Sequence, residues 1–224
     1  MSQTILMVVT SHDEIAPGHA TGLWFEEFAI PYARFREAGF EIKVASPKGG
    51  PTPLDPKSLD IDPSFPTVAA QQALSDTIPL DENVRHEPYS AIFFPGGHGT
   101  MFDLPENPHV QRLVTEFIEH EKVLGAVCHG PACLVGAMLQ DGTPVAKGRR
   151  IAAFSNAEER AVDLVDAMPF LLEDRLRELG GEVDTAEDWS DHVVIDGMLV
   201  TGQNPQSSGS VAEAMVRLLR HGDT

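Results

Sequence analysis

Three short apolar runs break off abruptly into turn-forming residues, and this pattern restricts the fold more than any other feature. They are Ile5–Thr10 (ILMVVT), Ala91–Phe94 (AIFF) running into Pro95-Gly96-Gly97-His98-Gly99, and Val123–Val127 (VLGAV) running into Cys128-His129-Gly130-Pro131. Each has the length of a strand and is apolar at successive rather than alternate positions, as expected of strands covered on both faces in a parallel sheet. Between them lie stretches at helical spacing: Phe25, Phe28, Ala29, Tyr32 and Phe35, then Val110, Leu113, Val114, Phe117 and Ile118. Pro31 is expected to kink or restart the first of these. Gly39 closes it and Glu41–Ala45 reads as another strand, while Gly130 onward looks helical. Residues 169–179 read as a helix with Pro169 at its start and Gly180-Gly181 at its end. Asp196-Gly197 between apolar runs signals a hairpin, and Val211, Met215, Val216 and Leu219 suit a closing helix.

Strands alternating with helices predict an α/β fold, a three-layer sandwich whose mostly parallel sheet carries helices on both faces. Residues 1–224 are expected to form a single domain. An excursion at about 46–80 opens with Pro47, Pro51, Pro53, Pro56, Pro63 and Pro66 beside Gly49 and Gly50, and reads as a loop that covers something. In such sheets ligands sit beyond the carboxyl ends of the strands. The Gly96-Gly97 loop, the turn at Cys128 and the loop after Ile151–Phe154 are all expected there.

Composition excludes several classes. The net charge of −18 opposes nucleic acid, whose binding rests on Lys and Arg, and opposes anionic membrane surfaces. No apolar run approaches the roughly 18 residues of a membrane span. The first residues read as a strand rather than a leader, so a cytoplasmic protein is expected. Two cysteines five positions apart form neither a disulfide scaffold nor a metal finger. The nine histidines show no ligand pair at a usual spacing, although ligands distant in sequence can converge. No metal and no cofactor is expected.

The chemistry centres on Cys128. A strand that turns at once into a helix holds the turning residue in a strained conformation and exposes its side chain over the sheet edge. The following helix N-terminus is expected to lower the thiol pKa, and a fall from about 8.5 to about 6 would raise the thiolate fraction roughly thirtyfold at pH 7. Taken alone, a cysteine here is as readily a small buried hydrophobe; its neighbours favour a nucleophile. Cys133, within the apolar PACLVGAML, reads as core packing. His129 is expected to act as a base or proton shuttle rather than an inert turn residue. The Gly97 and His129 amides are candidates for an oxyanion hole, with Gly96 in the same substrate-binding loop. His98 is placed to line the pocket.

The motifs AVCHGP, FFPGGHGTMFDLPE, TGLWFEE and TGQNPQSS together resemble the ThiJ/PfpI superfamily, and within it the chaperone and glyoxalase branch. That resemblance implies a flavodoxin-like, class I glutamine-amidotransferase-like fold. It implies Cys128 as nucleophile beside His129, and a glutamate on the first helix at Glu27, with Glu26 its neighbour. It implies a third acid at Glu159, with Glu158 beside it; the plain reading of these two, as acids favoured in the first turn of a helix, holds for at least one. Glu27 lies among Trp24, Phe25 and Phe28, so its pKa should rise. The activity implied is glutathione-independent conversion of a small dicarbonyl, methylglyoxal or a related 2-oxoaldehyde, to a 2-hydroxy acid through a cysteine hemithioacetal, in a homodimer. Alternatives are a protein deglycase or holding chaperone, a cysteine amidase or peptidase, and a thiol redox sensor.

Overall fold

A computed structural model describes residues 3–59 and 67–221, so Pro63 and Pro66 lie outside the described residues. In chain order the elements are β1 (Thr4–Val8), a ribbon of β2 (Glu14–Ala16) and β3 (His19–Ala20), α1 (Phe25–Glu37), β4 (Glu41–Ser46), α2 (Thr67–Leu74) and β5 (Ile78–Pro79). Then come β6 (Ala91–Phe94), α3 (Thr100–Asp103), α4 (Pro108–Glu119), β7 (Val123–Val127), β8 (Arg150–Ile151), α5 (Asn156–Ala161) and α6 (Leu172–Glu178). The chain closes with β9 (Glu182–Val183), β10 (Val193–Asp196), β11 (Leu199–Gly202) and α7 (Ser208–His221).

Seven strands form one sheet in the order β10-β11-β7-β6-β1-β4-β5. All neighbours are parallel except the β10–β11 hairpin at Asp196-Gly197. Side chains of a strand alternate between faces, and β1 shows the consequence. Leu6 and Val8 join a core with Val114 and Phe117 of α4, whereas Ile5 and Met7 join a second core with Phe28 and Phe35 of α1 and Met215 of α7. Two cores on opposite faces make the three-layer sandwich. Strands β6 and β7 pair from Ala91↔Val123 to Phe94↔Ala126, so they end side by side. The Gly96-Gly97 loop and the Cys128 turn therefore leave the sheet as neighbours.

Four local expectations change. Helix α1 runs unbroken through Pro31. A mid-helix proline costs about 3 kcal/mol, while Phe25, Phe28 and Phe35 are fully buried on either side of it, each worth about 1.5–3 kcal/mol. The helical segment expected from Gly130 onward is a five-residue 3-10 helix, Gly130–Leu134, rather than a longer α-helix. Of the expected strand Ile151–Phe154, only Arg150–Ile151 pairs, and it does so with β9 outside the main sheet. The Ala152 amide is taken by Thr201 Oγ1 and the Phe154 amide by the Cys128 carbonyl, each at 2.9 Å, which turns the chain over the elbow. The excursion carries its own elements, α2 and the edge strand β5. It also lies against the segment before α1, with Leu23 N–H donating to Pro53 O and Asp55 N–H to Leu23 O, both at 2.9 Å.

Candidate active site

Cys128 has φ 60°, a left-handed conformation a β-carbon disfavours. Two elements impose it: its N–H donates to Gly202 O of β11 and its carbonyl accepts from Phe154 N–H, both at 2.9 Å. The turn also needs close backbone approach. A β-carbon on Gly130 would lie 2.1 Å from Phe94 O, and one on Gly96 would lie 2.6 Å from His129 N and 2.7 Å from Glu27 Oε2. The helix positive end expected to act on the thiol is missing, because the turn that follows is too short to carry one.

Two acid groups approach the sulfur through different partners. Cys128 Sγ lies 3.4 Å from His129 Nδ1, and His129 Nε2 lies 2.7 Å from Glu159 Oε2. The other oxygen of Glu159 meets His98 Nε2 at 2.9 Å. A neutral His129 that donates Nε2–H to Glu159 leaves Nδ1 as the acceptor facing the thiol. Glu27 also adjoins the thiol: its Oε2 accepts from Gly96 N–H at 2.7 Å, and its buried Oε1 has no geometric hydrogen-bond partner among the described residues. Glu27 is wholly buried, Cys128 is 4% exposed, and His129 and Glu159 are buried as well. Glu26 is only partly buried and interacts with Trp24.

The neighbouring acids of α5 separate cleanly. Glu158, at the third helical position, closes a capping box with Ser155. Its carboxylate accepts from Ser155 N–H at 3.0 Å, Trp189 N–H at 2.9 Å and Asn204 Nδ2 at 2.9 Å. Glu159 faces the histidines. Gly96, expected to bind substrate, spends its amide on Glu27, whereas Gly97 lines the chamber beside Cys128. Cys133 is packed among Leu134, Ala137 and their neighbours, as expected. The sequence offered no signal for Phe154 and Trp189, which also line the chamber.

Burial pushes the Glu27 carboxyl up to about 8, against the hydrogen bonds from Cys128 and Gly96, with the charge of Glu26 adding to the rise. Burial also pushes the Cys128 thiol up, the reverse of the expected fall, and a charged Glu27 would push it further. A Glu27 that keeps its proton to about pH 8 removes that charge and offers the sulfur a hydrogen bond instead. The pair is thus best described as sharing protons rather than as a free thiolate. Burial and then His98 lower the His129 pKa, keeping the ring neutral at pH 7. Burial alone would raise Glu159, but the hydrogen bonds from His129 and His98 outweigh it and hold the carboxyl below the usual carboxylate range.

His98, His129 and Glu159 bring three ligand atoms within 4.8 Å of one another. Zinc accepts such a donor set. Here, however, each Glu159 oxygen is already bonded to one of the imidazoles, so a cation would have to break both contacts.

The sulfur opens into a chamber of about 100 Å³, lined by Glu27, Gly97, His98 and His129 and walled by Trp24, Phe154, Val162, Trp189 and Pro205. One water needs roughly 10–15 Å³ on this measure, so the chamber has room for a handful of heavy atoms. A larger cavity of about 370 Å³ adjoins it across Trp24, His98 and Val162, and is lined on its far side by Asp55, Pro56 and Lys57 of the excursion.

The profile of the DJ-1/PfpI family matches residues 20–218. The chain belongs to the DJ-1/PfpI family. The matched span contains Glu27, Gly97, Cys128, His129 and Glu159. Among its DJ-1/PfpI relatives is the glutathione-independent glyoxalase hsp3101 of Schizosaccharomyces pombe, 33% identical over 218 residues, which cover 90% of this chain and 88% of that protein. The crystal structure of glyoxalase III from Candida albicans superposes with a TM-score of 0.86 at 28% identity, covering 96% of each chain. The X-ray structure of the Rapid Encystment Protein 24 kDa of Francisella tularensis superposes with a TM-score of 0.91 at 34% identity, covering 97% of this chain and 99% of that one. The flavodoxin-like sandwich is thus common to this chain and to its DJ-1/PfpI neighbours. Among the described residues no helix is long and apolar enough to cross a membrane.

Proposed function

We propose that this chain is a glutathione-independent glyoxalase that converts methylglyoxal or a related 2-oxoaldehyde to a 2-hydroxy acid, with Cys128 as nucleophile. One observation carries the reading. A buried thiol adjoins both a carboxyl that holds its proton near neutral pH and an imidazole oriented by a carboxylate, in a chamber sized for a few heavy atoms. The relatives named as glyoxalases support it at about 30% identity over most of the chain.

The reaction divides into balanced steps. His129 Nδ1 takes the thiol proton as sulfur attacks the aldehyde carbon, and the carbonyl oxygen is protonated to give a hemithioacetal. The amides of Gly97 and His129 receive the oxyanion as it forms. A base then removes the hydrogen from the former aldehyde carbon, and the enediol is protonated at the adjacent carbon. Glu27 and His129, both beside the sulfur, are the groups able to shuttle this proton. The product is a thioester of a 2-hydroxy acid. Water hydrolyses it, releasing lactate from methylglyoxal and restoring the thiol. No electron leaves the substrate, since the aldehyde carbon is oxidised while the ketone carbon is reduced.

The reading extends to a homodimer in the cytoplasm, on the strength of the family resemblance. Two free, buried cysteines also suit a reducing compartment. Light scattering tests the dimer. The function is tested by D-lactate formation from methylglyoxal without glutathione, comparing wild type with Cys128→Ser and Glu27→Gln. Turnover by wild type that both substitutions abolish is expected; full turnover by Cys128→Ser would refute the mechanism.

A further inference from the structure

We infer that Trp189 sets the upper size of the aldehyde admitted to Cys128, and that Glu158 and Asn204 are positioning residues that hold it in place. This rests on the glyoxalase reading for its substrate and on the geometry of the chamber for everything else.

Trp189 is a wall with solvent behind it. It is 40% exposed and yet lines the chamber of the thiol. Its ring meets Phe154 edge-on at 5.7 Å, and Phe154 lies tilted against His129 at 4.4 Å, so the indole is the outermost of three rings in contact that end at the imidazole. The chamber holds about 100 Å³. A three-carbon dicarbonyl fits such a space, whereas an aryl group added to it would have to displace a wall.

The indole is held at a cost. Trp189 has φ 62°, a conformation that a bulky residue adopts only when its surroundings impose it. The tethers come from two buried side chains with no contact to the thiol in their hydrogen-bond sets. Glu158 Oε1 accepts the Trp189 N–H at 2.9 Å, and Asn204 Nδ2 donates to both Glu158 Oε1 at 2.9 Å and Ser190 O at 2.8 Å. Gln203 Oε1 accepts Ala186 N–H at 2.8 Å and Ser207 Oγ accepts His192 N–H at 3.0 Å. The TGQNPQSS motif therefore staples both ends and the middle of the loop that presents Trp189. The fully buried Glu158 carboxylate joins that staple to the helix carrying Glu159. The wall of the chamber and the acid beside His129 are thereby fixed in one frame.

The test compares wild type, Trp189→Ala and Trp189→Phe on methylglyoxal and phenylglyoxal. Neither replacement is freer than tryptophan to adopt a positive φ, so both keep the loop strain and differ in bulk alone. The ratio of kcat/KM for phenylglyoxal over methylglyoxal should rise about tenfold in Trp189→Ala, as expected when a pocket wall is removed, and less in Trp189→Phe. Glu158→Gln should move the ratio the same way and have no further effect on it in the Trp189→Ala background. A purely structural Glu158 would lower both substrates alike in both backgrounds. A second readout is independent of turnover: the rates at which iodoacetamide and its bulkier N-phenyl analogue alkylate Cys128, followed on the Cys128 peptide. The bulky reagent should gain about tenfold relative to the small one in Trp189→Ala. That gain in a protein inactive on methylglyoxal would sustain the wall and sink the glyoxalase reading. Unchanged alkylation ratios in Trp189→Ala would overturn the inference, whatever the turnover.

Discussion

Replacing Glu27 by glutamine should make the protein more stable at alkaline pH while removing its activity. In the folded state burial raises this carboxyl from 4.5 to about 8. Between those values the folded protein binds a proton that the unfolded chain has lost, so stability falls as pH rises. The contribution is fully present below about pH 4.5 and gone above about pH 8. One proton is worth about 1.4 kcal/mol per pH unit, and a shift of that size reaches roughly 5 kcal/mol across the window. That is a third or more of the roughly 5–15 kcal/mol total stability of a typical domain. Glutamine does not titrate, and its amide oxygen can still accept from Gly96 N–H. Urea unfolding at pH 5, 6, 7 and 8 should therefore give nearly equal free energies for wild type and Glu27→Gln at pH 5. The curves should diverge in favour of the variant by several kcal/mol at pH 8. Parallel curves would mean that Glu27 is already ionised in the folded state at neutral pH and stores no proton for Cys128.

Glu159→Gln should lower kcat for methylglyoxal by about a hundredfold or more, because an amide no longer dictates which nitrogen of His129 carries the proton; a loss below threefold would remove Glu159 from the mechanism. Gly96→Ala should impair folding and activity together, since its β-carbon meets His129 N at 2.6 Å and Glu27 Oε2 at 2.7 Å. Thermal unfolding and lactate formation check this, and a wild-type melting temperature with full activity would contradict it. Cys133→Ala should keep lactate formation and cost about 1 kcal/mol in urea unfolding, as expected of a small apolar deletion from a packed core; loss of turnover in a folded variant would give Cys133 a role that its packing does not suggest.

Local pattern carried much of the architecture. Strand-length apolar runs and helical spacing are set by the periodicity of the backbone, so the existence and type of β1, β6, β7, α1, α4 and the β10–β11 hairpin were legible, though not the end of β1 or the unbroken course of α1 through Pro31. The Cys128 turn was legible too, because strand, turn and glycine are contiguous. The tertiary structure decided whatever depends on distances between separate segments. Glu158 and Glu159 are adjacent acids in one helical turn, and only the packing of α5 sends one to Trp189 and Asn204 and the other to His98 and His129. Gly96 and Gly97 are adjacent in one loop, and only the approach of α1 gives the first amide to Glu27. The direction of the thiol pKa was misjudged from sequence because it depends on burial and on a carboxyl about a hundred residues away in the chain, not on the turn that follows. Phe154 and Trp189 joined the site for the same reason. A sequence displays its neighbours along the chain, whereas the chemistry of a buried sulfur is set by neighbours in space and by how little water reaches them.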